Sequence, residues 1–195
     1  PSVLTTLVTD ELDFPNLSMV GVDDRAAAYT AVDYLIRQGH RKIAVLGGPV
    51  TSYPSLMRRQ GAQQAMEDAG IVFNDKLYGL SNYDFESAYH AMNSLLARRA
   101  EFTALFAMSD VIAFGAIRAL VSAGLRVPED VSVIGFDGIT MSRYCVPVMT
   151  TIVQPSEQIA LQSIELLVRQ IEHGSPAQTV TLQPELQQGE SVRAI

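Results

Sequence analysis

Short apolar runs alternate with longer amphipathic segments along most of the chain. The runs are rich in valine, isoleucine, leucine and alanine and are closed by turn residues. This pattern is typical of strands that are buried on both faces of a parallel sheet. The predicted strands are 2–8, 19–22, 43–46, 77–80, 104–108, 131–136, 149–153 and 179–182.

Segments of helical length separate these runs, and each has apolar residues on one side. The predicted helices are 26–38, 56–69, 85–99, 111–123 and 157–172. The expected caps are Asp23 or Asp24, Ser55, Asp110 and Ser156. An acidic, proline-broken loop at 9–18 separates the first two strands. Because strand, loop and helix alternate repeatedly, the sequence predicts an α/β fold with a doubly wound parallel sheet.

The composition disfavours several classes of protein for this chain. With 195 residues, 48% of them hydrophobic, the chain can form one α/β domain or two small lobes with a buried core. A formal net charge of −7 argues against binding a nucleic-acid backbone by this chain alone, because such binding needs a basic surface. The single Cys145 and three scattered histidines disfavour a disulfide or zinc site, so we expect neither metal nor cofactor. No apolar run of membrane length and no signal-peptide pattern is present.

Polar side chains follow the predicted strands at their carboxyl ends. In an open α/β sheet these loops lie at the same edge, where ligands bind. The residues that this rule brings to the edge are Ser52, Tyr53, Arg58, Tyr83, Ser109, Asp110, Asp137 and Gln154.

This set of side chains suits a polyhydroxylated or heterocyclic small molecule. The ring of Tyr83 can cover an apolar face, Arg58 offers a fixed fork of donors, and Asp110 and Asp137 accept from hydroxyl or N–H groups. Each residue also has a structural alternative. Arg58 could be a surface charge, Tyr83 a half-buried loop aromatic, Asp110 a helix cap and Asp137 a turn residue before glycine.

Enzyme motifs are absent from the sequence. The chain has no GxSxG elbow, no GxGxxG fingerprint and no GxxxxGK[ST] loop. None of the three histidines stands at a base–nucleophile spacing. We therefore predict that the protein is not an enzyme.

Four segments resemble the LacI/GalR family of bacterial transcription repressors, in that family's order and spacing. A fifth segment, PELQQGES at 184–191, resembles its closing segment. The resemblance covers nearly the whole chain, and GHRKIA with VPEDVSVIGFD is highly specific. The four segments are GHRKIAVLGGP at 39–49, SDVIAFGAIRAL at 109–120, GLRVPEDVSVIGFD at 124–137 and TTIVQP at 150–155.

The resemblance implies a two-lobed effector-binding core that is similar to periplasmic sugar-binding proteins. Residues 1–23 and 155–174 would belong to the N-terminal lobe, and residues 24–154 and 175–195 would form a nearly complete C-terminal effector-binding lobe. A DNA-binding headpiece and the first half of the N-terminal lobe would be absent from this chain, which opens at Pro1 directly into an apolar run.

The resemblance also implies roles for individual residues. Arg58 matches an arginine that contacts effector hydroxyls or a carboxylate, Tyr83 an aromatic that stacks on the ligand, and Asp137 an aspartate that accepts from it. Ser109 and Asp110 match a pair near the ligand. The expected effector is a sugar, with nucleosides and purines as alternatives.

The implied whole protein is a cytoplasmic regulator that binds operator DNA through the headpiece and forms a homodimer. The 111–123 helix and the 138–148 loop are candidate dimer surfaces. Two other classes remain open, namely a periplasmic-type sugar-binding protein without a regulatory role and an enzyme built on a doubly wound sheet.

Three positions depart from the family pattern. Gly189 stands where an arginine is usual before Glu-Ser, Gly138 replaces a common Asp or Asn, and Ala62 replaces a common aromatic. We expect the first to affect the packing of the tail and the second to affect the edge or the turn after Asp137.

Overall fold

The computed structural model describes residues 1–9, 14–99 and 101–195. Residues 10–13, which are part of the predicted loop at 9–18, lie outside the described residues. Every predicted strand is present, and one further strand, β9, occurs in the segment that was predicted to be a polar tail. The strands are β1 (Ser2–Thr5), β2 (Leu17–Val22), β3 (Ile43–Gly47), β4 (Tyr78–Leu80), β5 (Ala104–Ala107), β6 (Ser132–Asp137), β7 (Thr150–Val153), β8 (Thr179–Leu182) and β9 (Glu185–Gln187).

The predicted helices are also present, with shifted ends. Short 3-10 helices at Asp75–Leu77 and Thr140–Arg143 accompany them. The α-helices are α1 (Asp24–Arg37), α2 (Tyr53–Asp68), α3 (Phe85–Ala97), α4 (Asp110–Ser122) and α5 (Ser156–His173).

Two helix starts differ from the prediction. Ser52 caps α2, where its side chain accepts from the Ser55 backbone N–H, so Ser55 is inside the helix. Ser109 caps α4 by accepting from the Ile112 backbone N–H at 3.1 Å. Asp110 is therefore the first helical residue and not the cap, which leaves its carboxylate available for other contacts.

The chain divides into two compact units. The first unit comprises residues 1–23 and 154–185. It contains a three-stranded sheet in the order β1-β2-β8, and both pairings are parallel. Its core is small, with Val20 and Val22 packing with Ile159 and Leu166 of α5.

The extent of the first unit corrects the predicted domain boundaries. Residues 175–185 were expected in the second lobe, but β8 pairs with β2, with Met19 opposite Thr179. Gln154 also falls in the first unit and not in the second. Backbone pairing between segments about 160 residues apart leaves no signal in the local hydrophobic pattern, so the sequence could not assign this strand.

The second unit comprises residues 24–153 and 186–195. Its sheet has the strand order β4-β3-β5-β6-β7-β9, and β3 to β7 are joined by parallel pairings. Helix α1 packs with α2, and α3 packs with α4. The order runs outward from β3 in both directions, so the topological switch lies between β3 and β5. The predicted doubly wound α/β fold is confirmed.

Helices α1 and α2 approach closely next to Ala62, which is one of the departures from the family pattern. A Cβ atom on Gly61 would lie 2.0 Å from the backbone oxygen of Arg25, so α1 and α2 meet backbone to backbone at this point. The neighbouring Ala62 is fully buried in the core. A small side chain at this position is consistent with so short a separation between the two helices.

The segment after β9 is fixed to the second unit by hydrogen bonds. The Ser191 hydroxyl donates to the Val133 oxygen at 2.6 Å and accepts from the Thr150 N–H at 2.8 Å. A Cβ on Gly189 would lie 2.4 Å from the Val148 oxygen. The packing therefore has no room for the arginine that the family pattern would put at Gly189.

Candidate functional site

The candidate site lies at the carboxyl edge of the second unit's sheet, around the topological switch. In doubly wound sheets, ligands bind at this point because neighbouring loops turn away in opposite directions and leave a crevice. Here the loop after β3 begins at Gly48, and the loop after β5 contains Met108 and Ser109. Helix α2 follows the first loop and brings Arg58 to the same place.

Arg58 is buried, and other groups of the protein already engage its guanidinium. Its Nε donates to Asp24 Oδ1 at 2.7 Å and its Nη1 donates to the Met108 backbone oxygen at 2.5 Å. The Phe136 ring lies beneath it, with the Arg58 Cζ 3.7 Å from the ring centroid. The arginine is therefore held rigidly at the switch between β3 and β5, and it is not a surface charge.

Asp137 is the second carboxylate beside this arginine. Its Oδ1 lies 3.6 Å from Arg58 Nη1, and 28% of its side chain is exposed. Its φ is +111°, a conformation that L-residues with a Cβ rarely adopt and that costs roughly 1–3 kcal/mol. Such strain is found where a side chain must point in a defined direction.

The turn after Asp137 requires glycine. Gly138 has φ +71°, and a Cβ there would lie 2.7 Å from the Val153 Cα. The close approach of β7 thus accounts for the departure at this position. The glycine therefore affects the turn, because it allows the backbone after Asp137 to pack directly against β7.

The buried carboxylate of Asp110 fixes the turn after Asp137 through hydrogen bonds. Its Oδ1 accepts from the Thr151 hydroxyl at 2.6 Å and its Oδ2 accepts from the Ile139 N–H at 2.8 Å. Gly135 makes space for the carboxylate, because a Cβ there would lie 2.2 Å from Asp110 Oδ1. Burial raises the pKa of Asp110 to about 6, against the effect of these hydrogen bonds, and the nearby charge of Asp137 adds to the rise.

Tyr83 packs on the loop that follows β3. It has φ +60°, and a Cβ on Gly48 would lie 2.0 Å from Tyr83 Cε2, so only glycine lets the ring lie here. The Tyr83 hydroxyl is buried and has no hydrogen-bond partner among the described residues. A buried hydroxyl in this state is costly unless a water or a ligand group satisfies it.

Ser109 and Gln154 have different surroundings. Ser109 is buried and uses its oxygen to cap α4, while its hydroxyl proton remains a possible donor. Gln154 follows β7 directly, is half-buried, and falls in the first unit. Within the second unit, Arg58, Asp137 and Asp110 therefore form one connected group around the switch, with Tyr83 and Ser109 on loops at the same edge.

Sequence reasoning missed Asp24 as part of this group. It identified Asp24 only as a helix cap, whereas the structure buries it as the ion-pair partner of Arg58. The one available signal was the presence of two successive aspartates before the alanine-rich helix. Gly48 and Phe136 were also missed, since their roles depend on contacts with residues that are distant in sequence.

The part of the chain that the structure describes offers neither a membrane span nor a metal site. It contains no helix that is both long enough and apolar enough to cross a membrane. Across the same residues, no group of three or more His, Cys, Asp or Glu side chains is arranged to hold a metal ion.

The doubly wound sheet and its polar edge define a periplasmic-binding-protein-like domain. The family model of that description, periplasmic binding protein-like domain, matches residues 32–192. A sugar-binding transcriptional regulator of the LacI family from Escherichia coli, solved in complex with phosphate, is 32% identical. It covers 92% of this chain, the chain covers 69% of it, and the TM-score is 0.83. The chain belongs to the LacI family of transcriptional regulators.

Two further similarities agree with this assignment. The HTH-type transcriptional repressor PurR of Histophilus somni is 35% identical over 181 residues, which is 92% of this chain and 54% of the repressor. A complex of the transcriptional regulator CelR with cellobiose is 32% identical over 92% of this chain and 55% of that one, with a TM-score of 0.87. The chain spans about half the length of the curated relatives it matches.

Proposed function

We propose that this chain is the effector-binding region of a LacI-type transcriptional regulator whose operator affinity is set by a small molecule. The observation that carries the proposal is the ion-paired group at the switch point, in which the buried Arg58 lies 3.6 Å from the partly exposed Asp137. A rigid donor beside a partly exposed acceptor, at the edge where doubly wound sheets bind ligands, is suited to fixing the orientation of a polar molecule.

A sugar is the favoured effector, with nucleosides and purines as alternatives. In this proposal Asp137 accepts from a hydroxyl, Tyr83 presents its ring and hydroxyl, and Ser109 donates. Asp110 holds the turn that carries Asp137. The cellobiose bound to CelR and the sugar-binding description of the Escherichia coli neighbour support a sugar.

The regulatory mechanism is a shift between two arrangements of the whole protein. A ligand can change operator affinity only through its different affinities for those arrangements, which typically amounts to about 1–3 kcal/mol. The net charge of −7 makes this chain a poor DNA-binding surface. Operator binding is accordingly assigned to a DNA-binding headpiece outside this chain, as in proteins named HTH-type repressors.

The regulator is proposed to act as a homodimer, because two-fold symmetric proteins match paired half-sites on DNA. The 138–148 loop is one candidate surface. It exposes Met141, Tyr144 and Val146 by 61%, 77% and 93%. Helix α4 is the other candidate and exposes Val121.

The protein is proposed to be a non-enzymatic, cytoplasmic regulator. The relatives are transcriptional regulators and not enzymes. A periplasmic-type sugar-binding protein without a regulatory role is disfavoured, because the relatives carry the names of regulators. A purified protein that turns over a sugar would contradict the proposal.

The test is thermal unfolding of the whole regulator against sugars, nucleosides and purines. Stabilisation should grow with ligand concentration as mass action requires. Asp137→Asn and Tyr83→Phe should each lower the shift, whereas Glu101→Gln, an exposed carboxylate paired with Lys42, should leave it unchanged. A shift that is unaffected by both site variants would move the site elsewhere. Arg58→Ala is a poor choice, since it would break the buried ion pair with Asp24 and lower the stability of the fold.

A further inference from the structure

We propose that the effector of this site is uncharged, and that the site discriminates against phosphate esters and carboxylates. This inference rests on the proposed function and narrows its ligand class. It follows from how the charges around Arg58 are distributed within the second unit.

The positive charge of Arg58 is already balanced. Its Nε donates to Asp24 at 2.7 Å and its Nη1 donates to the Met108 backbone oxygen. The Asp137 carboxylate lies 3.6 Å from the same Nη1. Arginine binds phosphate or carboxylate most strongly through two parallel N–H bonds from a free edge of the fork. Here Nε already donates to Asp24 and Nη1 already donates to the Met108 oxygen, so on either edge of the fork an anionic ligand would have to compete with an acceptor of the protein.

Negative charge is in excess at this point. Two carboxylates flank one guanidinium, and a third, Asp110, lies close enough to Asp137 for its pKa to be raised by that charge. A phosphate group placed beside Arg58 would meet the Asp137 carboxylate as a like charge. A hydroxyl or N–H group would instead donate to Asp137 and retain its hydrogen bond without a charge penalty.

The helix N-termini at this edge follow the same pattern. An N-terminus attracts anions through its dipole and its unpaired N–H groups. Helices α1 and α4 begin with Asp24 and Asp110, and α3 is capped by Asp84, whose Oδ1 accepts from the Ser87 N–H at 2.8 Å. Among the described residues, three of the four α-helices in this unit therefore have a carboxylate in or next to their first turn, which weakens the attraction of those helix ends for a phosphate.

Helix α2 is the exception, because it has no carboxylate at its N-terminus, and it therefore determines which anion is the best probe. It begins with Tyr53 and Pro54, its cap is the neutral Ser52, and its first turn has no acidic residue. An anion that entered the site would be drawn to this end, one turn before Arg58. Inorganic phosphate is therefore the most demanding probe of the proposed charge balance.

The experiment measures affinities by calorimetry on the whole regulator. Matched pairs are compared: ribose with ribose 5-phosphate, glucose with glucose 6-phosphate, and cytidine with cytidine 5′-monophosphate. The neutral member of a binding pair should bind at least about tenfold more tightly than its phosphate ester, which corresponds to about 1.4 kcal/mol. A phosphate ester that binds as tightly as its neutral partner overturns the inference but leaves the proposed effector-binding function intact.

A second titration tests the proposed discrimination against anions even if none of the matched ligand pairs contains the effector. Inorganic phosphate is titrated into the wild type, Asp137→Asn and the control Glu101→Gln, which removes the same charge from an exposed pair with Lys42. Asp137→Asn should bind phosphate at least about tenfold more tightly than the wild type and the control. Equal phosphate binding by all three proteins overturns the inference. A gain by Asp137→Asn alongside a panel without any hit supports the charge balance while counting against the proposed function.

Discussion

Arg58 Nε donates to Asp24 Oδ1 at 2.7 Å, and the two residues are only 6% and 5% exposed. They are 34 positions apart and join the first turn of α1 to α2. Because water is excluded from the pair, neither charge can be solvated if the other is removed. The contact therefore links the helix packing of the second unit to the position of the arginine at the candidate site.

Asp24→Ala should lower the free energy of unfolding by about 3–5 kcal/mol, because it breaks the buried ion pair with Arg58. Urea denaturation measures the change. The matched control is Asp33→Ala on the same helix, where the ion pair with Arg37 has the same 2.7 Å distance but Arg37 is 76% and Asp33 29% exposed, so water reaches both charges. The control should lose no more than about 0.5 kcal/mol, and similar losses for both variants would contradict a special role for burial.

Tyr83→Phe should leave the stability of the ligand-free protein unchanged or slightly raised. It removes a buried hydroxyl that has no hydrogen-bond partner among the described residues. If the hydroxyl bonds to the effector, ligand affinity should fall by about 0.5–1.5 kcal/mol while the fold is retained. Thermal unfolding with and without ligand separates the two effects, and a marked loss of stability without ligand would show that the hydroxyl has a structural partner.

Gly48→Ala should displace the same ring. The added Cβ would lie 2.0 Å from Tyr83 Cε2, so the ring or the loop after β3 must move. We expect weaker effector binding and a stability loss of about 1–3 kcal/mol from overpacking. Gly70→Ala is the steric control, because a Cβ there meets nothing within 4 Å, although its positive φ still strains the backbone. Unchanged ligand binding by Gly48→Ala would remove Tyr83 from the site.

The order of strands and helices could be read from the sequence because each buried strand is a short apolar run. The loops at the carboxyl edge follow from topology alone, which is why the sequence could place Arg58, Asp137 and Asp110 at this edge. Strand β9 and the membership of β8 in the first unit could not be predicted. Both depend on backbone pairing between segments distant in sequence, and β8 alternates between exposed and half-buried positions without a strong apolar pattern.

The contacts within the candidate site are harder to predict from the sequence than the loops that carry its residues. A carboxylate at the start of a helix reads as a cap in any sequence, yet Asp24 pairs with Arg58, and Asp110 supports the turn at Ile139. Glycines such as Gly135, which leaves space for the Asp110 carboxylate, make these contacts possible. Nothing in the neighbouring sequence indicates that a glycine is needed there. Such roles become visible only when the distance between the backbone and a side chain is known.

The raised pKa of Asp110 predicts a pH dependence of stability. The pKa rises from 3.8 to about 6 on folding, so the folded protein holds this proton more tightly than the unfolded chain. The free energy of unfolding should therefore fall as pH rises through this window, by about 2–3 kcal/mol from this group. Below pH 3.8 both states are protonated and the contribution is constant.

The measurement compares urea unfolding of the wild type and Asp110→Asn at pH 4 and pH 7. Asparagine loses one of the two accepted hydrogen bonds at every pH, so the difference between the two pH values isolates the titration. The stability of the wild type relative to the variant should be about 2–3 kcal/mol higher at pH 4 than at pH 7. A difference that does not change with pH would show that Asp110 titrates normally.

The exposed loop 138–148 predicts the behaviour of the proposed homodimer. Tyr144 and Val146 are 77% and 93% exposed, and exposed apolar groups of this size are typical of association surfaces when they are contiguous. Val146→Glu should weaken association at least about tenfold, because a charge would be buried at the interface. Analytical ultracentrifugation of the whole regulator over a range of concentrations gives the dissociation constant. The matched control is Val72→Glu, which alters a valine after α2 that is 87% exposed and lies outside both candidate surfaces, and it should leave the constant unchanged. A wild type that remains monomeric at all concentrations would contradict the homodimer, and equal effects of the two variants would move the interface away from this loop.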